Sequence, residues 1–381
     1  MIDAELLARI AQRAAELDQE SRFPAENLAE LRAGGLLGLA VPAVHGTPEA
    51  FLTELVTTAR AIGGVCLSTA MIWAMHCQQV DAIVRHGTSG LRDRLLPRVI
   101  RGEVYIASVT TDRSGGSSLT GTTSTASGGA RLAIDRDAPV VTGGTAADGF
   151  LLTVRRDSST TPGGEVSLLY VDAADLVLEP TDSWDMLGMR ATASGGLRLK
   201  GSTPADAVVG AGTFQRVADD SLVPLAHIGW SACWLGAAEN AFTQLVARLL
   251  KTAGKPGSPL ESDLLNERVA RIRVDLELVS SYLRTVTAEV ATARTAGRVF
   301  DRPADKIHLN TLKLAASELC FRAADRMVQL SGLAVGYNRL APSALERTFR
   351  DLRSAALNFS NDKLWVGTGA LSLLDRGVHL A

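Results

Sequence analysis

The 381-residue sequence has few of the features that place a protein in a simple class. It has four cysteines, 5% aromatic residues and a net charge of −2. No cluster of Lys and Arg marks a nucleic-acid-binding surface, so we expect no nucleic-acid partner. No apolar stretch reaches the roughly 20 residues that span a bilayer, and the charged N-terminus lacks the apolar core of a secretory signal. We therefore expect a cytoplasmic protein without a membrane partner.

The cysteines are scattered, at positions 66, 77, 233 and 320, without the spacing of metal ligands. Each lies in an apolar, helix-like pattern, which favours buried free thiols and predicts no metal site. The hydrophobic content of 46% is enough for a sizeable core. At roughly 100–200 residues per domain, the length predicts two or three domains.

Three regions of different composition follow one another along the chain. Residues 1–105 read as a helical domain, because Leu6, Ile10 and Ala14 begin a series of apolar residues at helical spacing. Residues 106–215 are first dense in Ser, Thr and Gly and then in β-branched runs, which predicts a small β-barrel or sandwich. In residues 216–381 the helical period returns and predicts a four-helix bundle. The predicted fold class is α+β.

The same patterns predict individual elements. We expect strands at 139–142, 150–154, 166–171 and 197–200, with an exposed hairpin loop at 157–164. We expect the bundle helices at 226–250, 264–293, 304–330 and 351–374. On this division Arg350 and Asp351 open the last helix, where they serve as structural charges near its N-terminus.

Three strings occur in an order and spacing that resemble one protein family. They are His86-Gly-Thr…Gly102-Glu103, Trp184-Asp-Met-Leu-Gly-Met-Arg190-Ala-Thr-Ala-Ser, and Gln329-Leu-Ser-Gly332…Leu345-Glu-Arg347…Arg350-Asp351. They resemble, in turn, the segment before the flavin loop, the "LGxR-x-S/T" element and the "LER…RD" signature of acyl-CoA dehydrogenases. The resemblance implies that family's fold, with an N-terminal helical domain, a middle β domain and a C-terminal four-helix bundle. It also implies FAD bound between the β domain and the bundle, with help from a neighbouring subunit of a homodimer or homotetramer.

The resemblance implies flavin contacts in the middle of the chain. The family's flavin loop reads roughly "VTEPxxGSD", and the matching string here is Val109-Thr-Thr-Asp-Arg-Ser-Gly-Gly-Ser117. Thr110 matches the threonine that touches the isoalloxazine, whereas the acidic–proline pair and the final "GSD" are not kept. In the next flavin strand Thr142 matches a Ser/Thr, and Val140 replaces the aromatic residue that stacks on the ring. Hydroxyls and backbone N–H groups of such a loop suit the charge of a reduced flavin.

The C-terminal region is expected to contact the adenine and pyrophosphate of the cofactor. Gln329, Gly332 and Gly336 match a glycine turn that approaches the FAD of a neighbouring subunit, since glycine lets a backbone come close to a phosphate. Lys251 is the nearest cation to the place of the family's pyrophosphate-binding arginine, but the "RxxFG" motif is not intact. FMN is therefore an alternative to FAD.

The family's catalytic carboxylate has no counterpart at either of its known positions. In most members a Glu eight residues past the Asp of the "RD" pair takes the α-proton, and that position is Phe359 here. A minority place the Glu on the first bundle helix, where this chain reads Val223-Pro-Leu-Ala-His227. His227 and His76 are the candidates for a relocated base, because a neutral imidazole titrates near working pH.

Three functions stay open on the sequence, and the matching strings favour the first of them over the other two. The first is α,β-desaturation of an acyl thioester with a non-standard base, with an electron-transfer flavoprotein as partner. The second resembles a sister branch of two-component monooxygenases, which use O2 and reduced flavin from a reductase on aromatics or amines. That branch typically carries a His where this chain has Asn358, whose side chain can still form hydrogen bonds. The third is a non-catalytic homologue that binds flavin or another ligand.

Overall fold

A computed structural model describes residues 2–112, 122–158, 161–210, 214–254 and 258–378. The N-terminal region is helical, as its periodicity predicts. Its helices are α1 (Ala4–Glu20), α2 (Ala25–Ala33), α3 (Pro42–His45), α4 (Pro48–Val65), α5 (Leu67–His86) and α6 (Ser89–Ile100). Side-chain oxygens of Asp3, Thr47 and Thr88 accept hydrogen bonds from backbone N–H groups in the first turns of α1, α4 and α6. These caps fix where the three helices begin.

Helix α5 is the most enclosed of these helices, with 16 of its 20 residues buried. Burial of an unpaired polar group is costly, so each polar side chain on α5 needs a specific partner. Asp81 has one in Arg294, whose guanidinium lies 2.9 Å from both carboxylate oxygens. This buried ion pair ties α5 to the C-terminal helices.

The middle of the chain forms one mixed sheet of eight strands. The strands are β1 (Ile106–Val109), β2 (Thr125–Gly128), β3 (Arg131–Ala138), β4 (Gly149–Ser158), β5 (Thr161–Asp172), β6 (Leu176–Pro180), β7 (Leu197–Pro204) and β8 (Val208–Val209). Their order is β6-β7-β3-β2-β4-β5-β8, and β1 pairs in parallel with β4. Exposed and buried residues alternate along β3, which is typical of a strand with one face on a core. The antiparallel β4–β5 pair forms the hairpin predicted around 157–164, and residues 159–160 of its loop lie outside the described residues.

The strand predicted at 139–142 is wrong. These residues follow β3 as an irregular segment, because Pro139 has no N–H to donate to a ladder. The segment is held instead by single bonds: the N–H of Val141 donates to the Gly195 carbonyl oxygen, and the Tyr105 hydroxyl donates to that of Thr142. Val140 and Thr142 therefore sit on a loop beside the sheet.

The C-terminal region is helical again. It contains α7 (Phe214–Val217), a π-helical turn (Ala218–Leu222), α8 (Val223–Leu250), α9 (Asp263–Thr295), α10 (Pro303–Val335), α11 (Leu345–Arg353) and α12 (Asn361–Ser372). Three of the four predicted bundle helices correspond to α8, α9 and α10. The fourth, predicted as one helix at 351–374, is wrong. The helix is interrupted between α11 and α12, where Phe359 has a φ of +52°. A right-handed helix cannot continue through such a residue.

Glycines let the helices α4 and α8 approach closely. A Cβ on Gly63 would overlap the carbonyl oxygen of Cys233, and a Cβ on Gly236 would overlap that of Arg60. Each helix thus contributes one glycine to a crossing that no larger residue fits. The contact fixes α4, from the N-terminal region, onto the first long helix of the C-terminal region.

The β domain meets α11 through the two strings that resemble the family's signatures. A Cβ on Gly188 would overlap the carbonyl oxygen of Arg350, and the N–H of Met189 donates to Oδ1 of Asp351 at 2.6 Å. Arg350 also donates to both carboxylate oxygens of Asp18 in α1, at 3.1 and 2.6 Å. The prediction that Arg350 and Asp351 open a helix is wrong, since they lie inside α11 and join three regions.

None of the helices in the described ranges combines the length and the apolarity that crossing a membrane requires. Helices, strands and helices follow one another in the predicted order. The predicted domain boundary at 105/106 falls between α6 and β1, and the one at 215/216 falls within α7. Both boundaries stay predictions. Contacts such as the one between Arg350 and Asp18 join the regions on either side of them.

Candidate active site

A cavity of about 880 Å³ lies where the middle segment meets the helices. Its β-domain side is formed by the loops beside β1 and β7. Its helical side is formed by one face of α5, the segment from α7 to the first turns of α8, the start of α10, and α11 and α12 with the break between them. The sequence predicts a flavin site at this same junction. Packed side chains do not fill the junction, so it has room for a ring system.

Hydroxyl groups line the β-domain side of the cavity. They belong to Ser108, Thr110, Thr142, Thr192 and Ser194. The Ser194 hydroxyl donates to Oγ1 of Thr142 at 3.1 Å and lies 2.7 Å from Oγ1 of Thr192. This hydroxyl cluster can donate hydrogen bonds to an electron-rich ligand edge.

A buried ion pair supports the strand end that carries Thr110. Arg136 is fully buried, and its guanidinium donates to Oδ2 of Asp112 and to the carbonyl oxygen of Thr111, each at 2.6 Å. The rest of the predicted flavin loop, residues 113–117, lies outside the described residues. Arg136 therefore fixes the described end of that loop from behind.

The two valines predicted to contact flavin occupy different places. Val140 lines the cavity and is 40% exposed, so its apolar side chain is open to a ligand. Val109 is fully buried, and its side chain lies in the core behind the wall. The predicted contact between Val109 and the cofactor stays a prediction, and the buried side chain leaves only the backbone of this residue for it.

His227 lies in the cavity wall on α8 and is 3% exposed. Its Nδ1 is 3.0 Å from the carbonyl oxygen of Leu309, which can only accept, so Nδ1 carries the proton. Nε2 is then an acceptor, and it has no hydrogen-bond partner in the described part of the chain. Burial and the nearby charge of Lys313 lower the pKa of His227 to about 4, so the ring is neutral at working pH.

Phe359 also lines the cavity, and its ring centroid lies 6.5 Å from that of His227. Its left-handed conformation is held by Lys313, a fully buried residue of α10. Nζ of Lys313 donates to the carbonyl oxygen of Phe359 at 2.8 Å and to Oδ1 of Asn361 at 2.6 Å. Lys313 therefore sets the position of the residue that stands in place of the family's Glu.

His76 does not reach the cavity, so the prediction that it acts as a base is wrong. Its ring is fully buried, and both nitrogens are engaged by backbone groups. Nε2 lies 3.0 Å from the carbonyl oxygen of Leu37, and Nδ1 accepts a hydrogen bond of 3.0 Å from the N–H of Ile106. A ring with both nitrogens paired cannot accept a substrate proton.

Several wall residues were not found by sequence reasoning. Asp219 lies one turn before α8, with Oδ2 3.1 Å from Nζ of Lys306 and 3.0 Å from Nε2 of Gln215. Gln78 and Gln79 face the cavity from α5, and Trp230 faces it from α8. A helical wheel of α5 places Gln78 and Gln79 on the face of Met71 and Met75, but that face looks like ordinary core in the sequence.

The remaining predicted residues fall into two groups. Asn358 lies in the wall beside Phe359. Lys251, Gln329, Gly332 and Gly336 lie outside it, at the ends of α8 and α10. Gly332 has a φ of +65° at a kink in α10, which is the conformation that favours glycine. Their predicted contact is with the cofactor of a neighbouring subunit, and it stays a prediction.

Two family models match the chain. The model described as "Acyl-CoA dehydrogenase, N-terminal domain" matches residues 2–103, and the model described as "Acyl-CoA dehydrogenase, C-terminal domain" matches residues 224–358. Together they cover more than half of the chain. The chain belongs to the acyl-CoA dehydrogenase superfamily. It is a flavoprotein oxidoreductase of that superfamily, and the matched ranges include His227 and Asn358 from the cavity wall.

Curated relatives agree with this assignment. The short-chain-specific acyl-CoA dehydrogenase of Clostridium acetobutylicum is 24% identical over 344 residues, which cover 89% of this chain and 87% of the relative. Cyclohex-1-ene-1-carbonyl-CoA dehydrogenase of Geobacter metallireducens is 25% identical over 90% of this chain and 88% of the relative. Acryloyl-CoA reductase (NADH) of Anaerotignum propionicum is 32% identical, over 27% of this chain and 26% of the relative.

This chain shares its fold with solved structures of a dehydrogenase and of a monooxygenase. Butyryl-CoA dehydrogenase of Megasphaera elsdenii superposes with a TM-score of 0.82 at 17% identity, covering 97% of this chain and 96% of that one. FMN-bound TdsC of Paenibacillus sp. A11-2, a protein described as dibenzothiophene monooxygenase, gives a TM-score of 0.85 at 16% identity. That match covers 98% of this chain and 96% of TdsC. The fold alone does not choose between the two reactions.

The wall chemistry of this acyl-CoA dehydrogenase homologue fits a flavin ring. The hydroxyl cluster of Thr110, Thr142 and Ser194 supplies donors on one side, and Val140 supplies an apolar contact. Such groups suit the polar edge and the flat face of an isoalloxazine. The departure from the family lies opposite, where Phe359 replaces a carboxylate.

Proposed function

We propose that this chain is a two-component flavin-dependent monooxygenase acting on a small aromatic or amine substrate. The observation that carries the proposal is the lack of a free carboxylate in the described wall of the cavity. Phe359 occupies the family's main position, and residues 223–227 supply no acid. Asp219 is the one carboxylate among the described wall residues, and its oxygen is held by Lys306 and Gln215.

The remaining candidate base, His227, is poorly placed to hold an abstracted α-proton, because its protonated ring would be a buried charge. Burial and the nearby charge of Lys313 both disfavour the charged form of the ring, whereas a carboxylate becomes neutral when it takes up a proton. Oxygenation makes no such demand on the protein. In that reaction His227 accepts a hydrogen bond from the substrate through Nε2, and Phe359 keeps water from the reacting atoms.

When bound, reduced flavin supplies the two electrons that activate O2. One oxygen atom goes to the substrate, and the other leaves as water. The residues that would hold the ring are Thr110, Val140, Thr142 and Ser194. We expect FAD or FMN in this place, and the FMN-bound and indole-bound forms of TdsC indicate that the fold accommodates both kinds of ligand. A separate flavin reductase would supply the reduced cofactor.

Desaturation of an acyl thioester is the second candidate. The relatives from Clostridium acetobutylicum and Geobacter metallireducens are dehydrogenases, and their similarity to this protein extends over nearly the whole chain. A structural observation also supports desaturation. The N–H of Phe359 lies in the break after α11 and makes no hydrogen bond within the described residues. That donor is independent of the side chain and could polarise a thioester carbonyl, with His227 or Asp219 as base and an electron-transfer flavoprotein as partner.

The test is a pair of titrations on the purified protein, with FAD and with FMN, each in the oxidised and the reduced state without oxygen. The monooxygenase proposal expects tighter binding of the reduced form and, once oxygen is admitted with indole or phenol, product labelled from isotopic O2. Bleaching of bound FAD by butyryl-CoA would instead support desaturation. If no flavin binds in either state, both proposals fail and a non-catalytic homologue is left.

Flavin placement has its own control. Thr142→Val removes a hydroxyl of the cluster and is expected to weaken flavin binding about tenfold. Thr57→Val alters an exposed threonine of α4, outside the cavity, and is expected to leave the affinity unchanged. Sedimentation of the flavin-loaded protein would show whether it is the expected homodimer or homotetramer.

A further inference from the structure

Two adjacent glutamines on the cavity face of α5 have a fixed orientation. Nε2 of Gln78 donates to the carbonyl oxygen of Leu222 at 2.6 Å, and Nε2 of Gln79 donates to Oε1 of Gln78 at 3.1 Å. A carbonyl oxygen only accepts, so the Gln78 amide must turn its NH2 group toward Leu222 and its oxygen toward Gln79. The Gln79 amide must in turn direct its NH2 group at that oxygen. The chain of bonds thus decides which atom of each amide is which.

This arrangement leaves Oε1 of Gln79 without a partner. Gln79 is 1% exposed, and Oε1 has no hydrogen-bond partner among the described residues. Buried amide oxygens are nearly always paired, and an unpaired one in a folded protein requires an explanation. Because Gln79 lines the cavity, a molecule bound there can supply the missing donor.

The surroundings of Gln79 sharpen the kind of ligand. Met71 and Met75 form the apolar part of the same helix face. In the same cavity wall, Nε2 of His227 is a second acceptor without a partner in the described ranges. A saturated acyl chain has no donor for these atoms and would leave them unpaired on binding, whereas a ring N–H, an amine or a hydroxyl would pair with them.

We infer that the Gln78–Gln79 pair is a substrate subsite that selects molecules carrying an N–H or O–H donor. Gln79 makes the contact through Oε1, and Gln78 orients it through the bond to Leu222. The inference rests on the proposed function in one respect, namely that substrate occupies this cavity. It adds the feature by which one aromatic or amine substrate is chosen over another.

The experiment compares ligands of equal shape that differ in one donor. Calorimetric titration of the flavin-loaded protein would use the pairs indole and benzofuran, and phenol and fluorobenzene. We expect the donor-bearing member of at least one pair to bind about tenfold more tightly, which corresponds to about 1.4 kcal/mol. In Gln79→Met that ratio should fall to about one. Gln78→Met should lower the ratio in part, since Gln79 is then free to turn.

Two controls separate recognition from damage. Met75→Leu reshapes the same wall without touching a hydrogen bond and should change both members of a pair equally. The double variant Gln78→Met/Gln79→Met removes the unpaired Oε1 of Gln79 together with the bond to Leu222, so the two effects offset and its melting temperature should stay close to that of the wild type. A subsite for substrate predicts lost selectivity with kept stability, which a purely structural role of the pair does not.

The outcomes distinguish this inference from the proposed function. Equal binding of both members of every pair, or failure of every ligand to bind, overturns the subsite. A ratio that persists in Gln79→Met also overturns it, even where the protein oxygenates a substrate. Conversely, a ratio that depends on Gln79 sustains the subsite in a protein that turns out to desaturate, because the measurement is of binding and not of turnover.

Discussion

Nζ of Lys313 lies 2.8 Å from the carbonyl oxygen of Phe359, across 46 residues of sequence. The contact joins α10 to the break between α11 and α12 and holds Phe359 at a φ of +52°. A positive φ costs a phenylalanine about 1 kcal/mol or more, so the break exists only because its surroundings enforce it. The fully buried amine of Lys313 holds the Phe359 carbonyl oxygen and so stabilises this conformation.

Lys313→Met should therefore destabilise the protein. The change leaves the Phe359 carbonyl oxygen and Oδ1 of Asn361 without their donor, and we expect the free energy of unfolding to fall by about 1–3 kcal/mol at pH 7. Urea unfolding would measure it. Lys251→Met replaces an exposed lysine and should change stability by less than about 0.5 kcal/mol. Equal stability of the two variants would contradict the role of Lys313.

The difference between wild type and Lys313→Met should depend on pH. Burial lowers the pKa of Lys313 from 10.5 to about 8, so between these values the unfolded chain holds more protons than the folded one. The contribution of Lys313 to the free energy of unfolding then rises with pH between 8 and 10.5, by up to about 3 kcal/mol. Unfolding free energies of both proteins at pH 7 to 10.5 would show a growing difference. A difference that stays constant would mean that the amine titrates normally.

Restoring the missing acid should change the reaction. Phe359→Glu places a carboxylate in the cavity wall, where a positioned base typically contributes a factor of 10²–10⁴. We expect this variant to gain acyl-CoA desaturation, measured as bleaching of bound FAD by butyryl-CoA without oxygen. Phe359→Gln has the same size without the charge and should gain nothing. Identical bleaching by the two variants would place residue 359 away from the substrate's α-carbon.

The joint between the β domain and α11 should tolerate no side chain at Gly188. A Cβ there meets the carbonyl oxygen of Arg350, so Gly188→Ala should cost about 1–3 kcal/mol and lower the melting temperature. Gly369→Ala, in α12, meets nothing within 4 Å and should stabilise the protein by about 0.5–1 kcal/mol. Calorimetry of both variants would test the contrast, which a loosely packed joint would abolish.

Local patterns made much of this fold predictable. The helical period located α8, α9 and α10, and the β-branched runs located β4, β5 and β7, because each reflects burial of one face. Six residues predicted at the cofactor or the reacting atoms line the cavity: Thr110, Val140, Thr142, His227, Asn358 and Phe359. The family resemblance placed them, since a threonine or a histidine alone has no distinguishing pattern.

Other features depend on residues far apart in sequence and were out of reach. The break at Phe359 needs Lys313, and nothing within 351–374 signals it. His76 was misjudged because its two partners, Leu37 and Ile106, come from different regions of the chain. The open acceptor on Gln79 follows from a bond between Gln78 and Leu222, 144 residues apart. Spacing along one element cannot contain such information.

The imidazole of His76 bridges two backbone groups, the carbonyl oxygen of Leu37 and the N–H of Ile106. One nitrogen must donate to Leu37 and the other must receive the N–H of Ile106, so only the neutral ring fits. Burial lowers its pKa to about 4, and between 6.5 and that value the unfolded chain is the better proton acceptor. When acid protonates Nδ1 of His76, the new N–H points at the N–H of Ile106, where the first helices meet β1. The His76–Ile106 bond thus changes from attraction to repulsion when acid protonates the ring.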